Sequence, residues 1–198
     1  MSTKPLKSIT VFCGSSPGND SIYFEMAQAI GKRMAELEIR LVYGGGKVGL
    51  MGAVADACLA AGGQVTGVIP GFMDQKEIAH QGVTRLEVVD SMHERKMRMH
   101  RISEAAIALP GGFGTLDELF EMLTWAQLGL HQKPIGLVNV DGYFDDLVRL
   151  ADGMTRKGFV RAHHRAMLLE DPTFEGLLKK MESYTAPPLP SWINADQT

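Results

Sequence analysis

Short apolar runs alternate with longer helical patterns along the whole chain, and this alternation constrains the fold more than any single motif does. The runs are SITVFCG, RLVYG, QVTGVIP, VTRLEVV, AAIALPG, KPIGLVNV and AMLLED. Amphipathic patterns lie between them near 20–37, 49–61, 91–103, 115–128, 142–156 and 173–183. Runs of this kind, apolar throughout rather than alternating, suit strands buried on both faces. The expectation is an α/β fold with a doubly wound, mainly parallel sheet and helices on both faces. No Pro/Ser-rich linker interrupts the pattern, so residues 1–184 are expected to form one α/β domain. The stretch TAPPLPSWINADQT makes 185–198 a proline-containing tail.

In such a sheet ligands gather outside the carboxyl ends of the strands. Three expected strands end there in suspicious loops: CGSSPG (13–18), GGGKVGLMG (44–52) and PGGFGT (110–115). The second matches G-x-G-x-x-G at Gly44, Gly46 and Gly49, with Gly45 in its middle. A dinucleotide site also wants an acid at the tip of the next strand, and here that strand ends GVIPG. A Walker loop is excluded, because no Gly-Lys-Ser/Thr follows the glycines. These glycines serve a tight turn and close helix packing, and can still line a nucleotide pocket. Ser15 and Ser16 read as hydrogen-bonding groups for a nucleotide, since no G-x-S-x-G elbow surrounds them.

The loop PGGFGT is the better anion site. Gly111, Gly112 and Gly114 let backbone approach a ligand without Cβ clashes, and Thr115 opens a helix whose free N–H groups and dipole favour phosphate. On a wheel of about 100° per residue, Leu116, Leu119, Phe120 and Leu123 form the sheet-facing stripe. Glu118 then falls on the other side with Glu121, Met122 and Trp125, a face suited to a second subunit. Thr115-x-x-Glu118 also fits a capping box, which would give Glu118 a purely structural role. In SMHERKMRMHRIS the apolar stripe is Met92, Met99 and Ile102, and Arg95 lies about 20–25° from its middle. A core-side arginine needs a partner. The first turn of that helix, with Arg95 and Lys96, must lie at the carboxyl edge beside PGGFGT. Arg98, His100 and Arg101 form a solvated face, from which Arg98 could assist. Glu77 in QKEIAH is compatible with surface or site.

The global properties exclude several classes. A net charge of −3 points to neither nucleic acid nor an anionic membrane surface. No apolar run approaches the ~20 residues that span a bilayer, and no signal peptide is expected from MSTKPLKSITVFCGSS. Cys13 and Cys58 make no disulfide framework and suit a reducing cytoplasm. The six histidines lack metal-ligand spacing, so no metal is expected.

Taken together, CGSS, YGGGKVGLMG, KEIAH, MHERK, LPGGFGTLDEL, TWAQLG and NVDGYFDDL resemble the LONELY GUY (LOG) family, also labelled putative lysine decarboxylases. The resemblance runs from about Val11 to Leu168. It implies a Rossmann-like fold and a homodimer with the active site near the dimer contact. The implied reaction cleaves the N-glycosidic bond of nucleoside 5′-monophosphates, here N6-substituted adenosine monophosphates, releasing free base and ribose 5-phosphate without a cofactor. The family's catalytic pair falls on Arg95 and Glu118, and its substrate loop on Gly112, Phe113, Gly114, Thr115, Leu116, Asp117 and Glu118. Lys96, Glu77 and Thr124 fall on further binding positions. The family often has Glu-Glu where this chain has Asp117-Glu118. Lysine decarboxylation would need PLP on a Schiff-base lysine, for which the sequence offers no convincing place. The alternatives are a non-catalytic carrier of a phosphorylated ligand, such as a pterin cofactor, and a dinucleotide-binding regulatory module built on GGGKVG.

Overall fold

The computed structural model describes residues 5–73 and 78–188. Seven strands form one sheet: β1 Ser8–Phe12, β2 Arg40–Tyr43, β3 Val65–Pro70, β4 Arg85–Val89, β5 Ala105–Ala108, β6 Ile135–Val138 and β7 Leu168–Asp171. Their order is β4-β3-β2-β1-β5-β6-β7 and every pairing is parallel. The sheet is thus wholly rather than mainly parallel. The helices are α1 Ser21–Glu36, α2 Gly49–Ala60, α3 Met92–Ile102, α4 Phe113–Gln127, α5 Asp145–Arg156, the short α6 Ala162–Arg165, and α7 Phe174–Glu182.

Alternate residues of the strands feed two cores. Ile9, Val11, Leu41, Tyr43 and Ile107 pack with α1, α2 and α7. Phe12, Val42, Val68, Ala106 and Ala108 pack on the other face with α3, α4 and the start of α5. Two-sided burial is the reason these strands read as continuous apolar runs. The edge strand β4 is the exception, being exposed or half-buried throughout.

The chain winds outward from β1 to β4, returns through α3 to β5 on the far side of β1, and winds outward again to β7. The topological switch point therefore lies between β1 and β5, where an α/β sheet opens a crevice. Both strands stop together there, with Phe12 in register with Ala108. The Gly14 N–H donates to the Pro110 carbonyl at 3.0 Å and closes the floor. The tail from 189 onward, including Trp192, lies outside the described residues, as does Glu77.

Candidate active site

Helix α4 begins at Phe113, two residues before the expected start, with Gly112 as its N-cap. Thr115 is therefore inside the first turn and cannot cap it. The capping-box reading of Glu118 fails for that reason. The cap has no side-chain hydrogen bond, and the N–H groups of Phe113, Gly114 and Thr115 find no acceptor among the described residues. Unspent donors at a helix N-terminus are an anion cradle. A Cβ built on Gly112 or Gly114 meets nothing within 4 Å, so protein packing does not explain these glycines. Space for a ligand does.

The buried stripe of α4 is Thr115, Leu119, Met122 and Ala126. This corrects the wheel centred on Leu116, Phe120 and Leu123. Leu116 and Leu123 are only half-buried and Phe120 is exposed, while Met122 points into the core rather than away from it. The shift turns Glu118 to the flank of the helix that overlooks the crevice. Trp125 packs against the His100 ring at 5.3 Å.

Helix α3 crosses beneath the first strands and brings Arg95 to the same place. Its Nη2 lies 3.4 Å from Glu118 Oε1, with both side chains 11% exposed. Its Nε donates to the Val68 carbonyl at 3.2 Å, fixing the guanidinium against the end of β3. Gly44 provides the space, since a Cβ there would stand 1.8 Å from Arg95 Nη2. Lys96 ties α3 to α4 through Asp117 and Glu121, each at 3.1 Å. Burial pushes the Glu118 carboxyl above the usual carboxylate range; Arg95 opposes this and Asp117 adds to it. The Cys13 thiol beside it is also pushed up, by burial and then by the Glu118 charge, and stays protonated.

Arg95, Glu118, Asp117, Gly44 and Cys13, but not Lys96, line one cleft of about 330 Å³. Gly112, Phe113, Gly114, Thr115, Asp117, Glu118, Arg95 and Ser15 all reach it. Opposite the cradle stands an apolar wall of Met51, Ile69, Met73, Ile78 and Met92. The sequence carries no sign of this wall beyond Met92, part of the apolar stripe of α3, and it marks Gly44 as a pocket-lining glycine but not as the space for Arg95. Gly111 and Ser15 border an adjoining cavity on the α1 side. Leu116 and Gly45 do not line the cleft. Thr124 is exposed on α4, and its hydroxyl donates to the Phe120 carbonyl. Among the described residues, no group of three His, Cys, Asp or Glu side chains is placed to hold a metal ion.

In the run GGGKVG, Gly44 and Gly46 line the cleft, as the sequence allowed, while its far end is taken up by packing. The Leu50 and Met51 N–H groups at the start of α2 both donate to the Gly14 carbonyl, so this N-terminus is not free for phosphate. Gly49 has φ +60°, and a Cβ there would lie 2.3 Å from the Ser15 backbone. A larger depression of about 640 Å³ opens at the amino edge of the sheet. Three of the arginines lining it are engaged: Arg98 grips Glu87 at 2.6 and 3.1 Å, Arg85 pairs with the same carboxylate, and Arg40 donates to the Ile102 carbonyl at the end of α3. Arg98 thus serves the edge strand and is not near the cleft. His100 is not on a solvated face either, because it packs against Trp125 and His131, and burial pushes it down to about 3.

A protein-family profile described as "Possible lysine decarboxylase" matches residues 51–181. A probable cytokinin riboside 5′-monophosphate phosphoribohydrolase of Oryza sativa subsp. japonica is 49% identical over 177 residues, covering 89% of this chain and 79% of that protein. A cytokinin riboside 5′-monophosphate phosphoribohydrolase of Arabidopsis thaliana is 46% identical, covering 89% and 82%. The chain belongs to the LOG family. Among solved structures, the molybdenum cofactor binding protein of Rippkaea orientalis superposes with a TM-score of 0.68 at 20% identity, over 92% of this chain and 98% of that one. The molybdenum cofactor carrier protein of Chlamydomonas reinhardtii gives 0.62 at 20% identity, over 89% and 94%. At that identity the likeness is one of fold, and the LOG-family reading rests on the sequence relatives and the site.

Proposed function

We propose that this LOG-family chain is a phosphoribohydrolase. It hydrolyses the N-glycosidic bond of N6-substituted adenosine 5′-monophosphates, releasing the free base and ribose 5-phosphate. The observation that carries this reading is the sequestered Arg95–Glu118 pair sharing one cleft with an unspent helix N-terminus. Breaking a ribosyl C–N bond develops oxocarbenium character at the sugar. The Glu118 carboxylate stabilises that cation and orients or activates the attacking water. The 5′-phosphate binds the N–H groups of Phe113, Gly114 and Thr115, and this remote binding energy positions the bond. Arg95 opposes the upward push of burial on Glu118, and its charge is also available to phosphate or departing base. The apolar wall of Met51, Ile69, Met73, Ile78 and Met92 suits a base with an apolar N6 substituent, since thioether side chains adapt to irregular apolar shapes.

The partner we assign is a second copy of this chain. Phe113 is 94% exposed at the mouth of the cleft, and Phe120 lies exposed on the same helix. Two free, buried cysteines suit a cytoplasmic location. No helix among the described residues is long and apolar enough to cross a membrane.

The test incubates purified protein with N6-isopentenyl-AMP and AMP, and separates free base from nucleotide. Base release, faster from the substituted monophosphate, is the expected result. Tight binding with no release would make the protein a carrier. Sedimentation as a monomer at micromolar concentration would remove the dimer without touching the chemistry.

A further inference from the structure

The loop that joins β6 to α5 has no part in the reaction as described, yet it reaches the crevice. After Val138 the chain makes a 3-10 turn over Val140–Gly142, in which Asp141 and Gly142 both take positive φ, 50° and 68°. The turn is held from within. The Phe144 N–H donates to Asn139 Oδ1 at 2.7 Å, and Asn139 Nδ2 donates to Asp145 Oδ1 at 2.8 Å. It is also held from below, where the Asn139 N–H donates to the Asp171 carbonyl at 2.8 Å and Phe144 is buried in the core. A turn so constrained presents Tyr143 in one direction. The Tyr143 ring packs edge-on against Tyr23 of α1, with centroids 5.6 Å apart. Its hydroxyl crosses the crevice and donates to the Gly111 carbonyl at 2.7 Å.

That carbonyl belongs to the peptide whose N–H is Gly112's. In a planar trans peptide the N–H and C=O point in opposite directions. Tyr143 stands in the cavity on the α1 side, together with Gly111, whereas Gly112 lines both that cavity and the cleft of Arg95 and Glu118. Holding the Gly111 oxygen toward Tyr143 therefore aims the Gly112 N–H toward the cleft. The neighbouring peptide is fixed as well, by the Gly14 N–H on the Pro110 carbonyl. Glycine has no side chain to bias its peptide orientation, so a Gly-Gly step needs such an external holder.

We propose that Tyr143 is a positioning residue of the phosphate cradle. Its hydroxyl locks the 111–112 peptide so that the Gly112 N–H joins those of Phe113, Gly114 and Thr115 as a fourth donor to the 5′-phosphate. The proposal rests on the reading of this cradle as the phosphate site. Preorganising the donor before substrate arrives removes an ordering cost from binding.

The test is Tyr143→Phe, which keeps the ring against Tyr23 and Phe144 and removes only the hydroxyl. Initial rates are measured on N6-isopentenyladenosine 5′-monophosphate and on its dephosphorylated riboside, with ribose 5-phosphate inhibition measured alongside. The variant should lose about 3- to 10-fold in kcat/KM on the monophosphate, mostly in KM, the size of one hydrogen bond. Ribose 5-phosphate should weaken by the same factor, and the riboside rate should not move. An equal loss on both substrates, or an unchanged preference for the monophosphate, overturns the role of Tyr143. If the unmodified protein itself shows no preference for the monophosphate, the phosphate reading of the cradle falls first, and the Tyr143 proposal falls with it. A melting curve on Tyr143→Phe confirms that the ring packing survives.

Discussion

Replacing Gly44 with alanine tests the catalytic pair without touching either member. A Cβ at this position would lie 1.8 Å from Arg95 Nη2 and 2.9 Å from its Cζ, and the next nearest atom is also Arg95's. The backbone of Gly44 is not in the left-handed region, so alanine adds no backbone strain. What must yield is the far end of a flexible side chain, which has to retreat by roughly 1.5 Å to reach ordinary contact. Among the described residues that guanidinium is held by the Val68 carbonyl, Glu118 and a weak contact to Met92. Lengthening the Glu118 contact from 3.4 Å to about 5 Å, at an effective dielectric near 20, removes roughly 1.5 kcal/mol of attraction. That corresponds to about tenfold in rate. Misplacing a reacting group by about 1 Å can cost about 100-fold. Gly44→Ala should therefore lose between about 10- and 100-fold in kcat/KM for base release, with a melting temperature within a few degrees of the parent. In an Arg95→Ala background it should add almost nothing, because the two changes act on one contact. A folded Gly44→Ala protein with turnover within about threefold of the parent would refute the argument that this arginine must sit where it does.

Other outcomes follow from the same geometry. Glu118→Gln should fold and lose at least about 100-fold in turnover, the scale of an acid–base or electrostatic group; near-parental turnover would return Glu118 to a structural role. The acid limb of the pH–rate profile should lie above the usual glutamate range, because burial raises Glu118 and the reaction uses its carboxylate. Lys96 lowers Glu118 and Asp117 raises it, so Lys96→Met should move that limb up in pH and Asp117→Asn should move it down. Limbs shifted in the reverse order would show that these charges do not reach the site. Gly49→Ala should cost fold stability, seen as a large drop in melting temperature, because it combines positive φ with a Cβ 2.3 Å from the Ser15 backbone. Gly114→Ala should leave melting unchanged and weaken the monophosphate more than the riboside, since its space is open to ligand rather than to protein.

Much of this architecture was written in hydrophobic periodicity. All seven strands fall within the expected runs, and α1, α2, α3 and α7 lie within a residue or so of their expected bounds. Two-sided burial makes such a pattern legible, because each central strand must be apolar on both faces. The half-exposed β4 was read from VTRLEVV because its β-branched residues kept the signal. Helix α4 shows where the pattern stops informing. Its apolar residues span more of its circumference than the sheet can cover, so the wheel's centre followed composition, while packing chose Thr115, Leu119, Met122 and Ala126. Arg95 was legible because a charge on an apolar stripe demands a partner. Its supporting shell was not. That Gly44 makes room for a guanidinium, or that Tyr143 spans 32 positions to a glycine carbonyl, depends on long-range placement that no local pattern encodes. The methionine wall was equally silent, being gathered from α2, β3, α3 and the segment after β3.

The two walls of the cleft are inherited separately. The proposed catalytic pair sits on α3 and α4, two helices strapped together by Lys96 between Asp117 and Glu121. Shape on the base side comes mostly from α2, the end of β3 and the residues Met73 and Ile78 beyond it, with Met92 the one member of that wall carried by α3. A substitution at Met51, Ile69, Met73 or Ile78 can remodel what the cleft admits while Arg95 and Glu118 keep their separation. A scaffold of this kind leaves the molecule recognised free to change at little risk to the bond broken, and the side chains of the apolar wall are the places where such change acts.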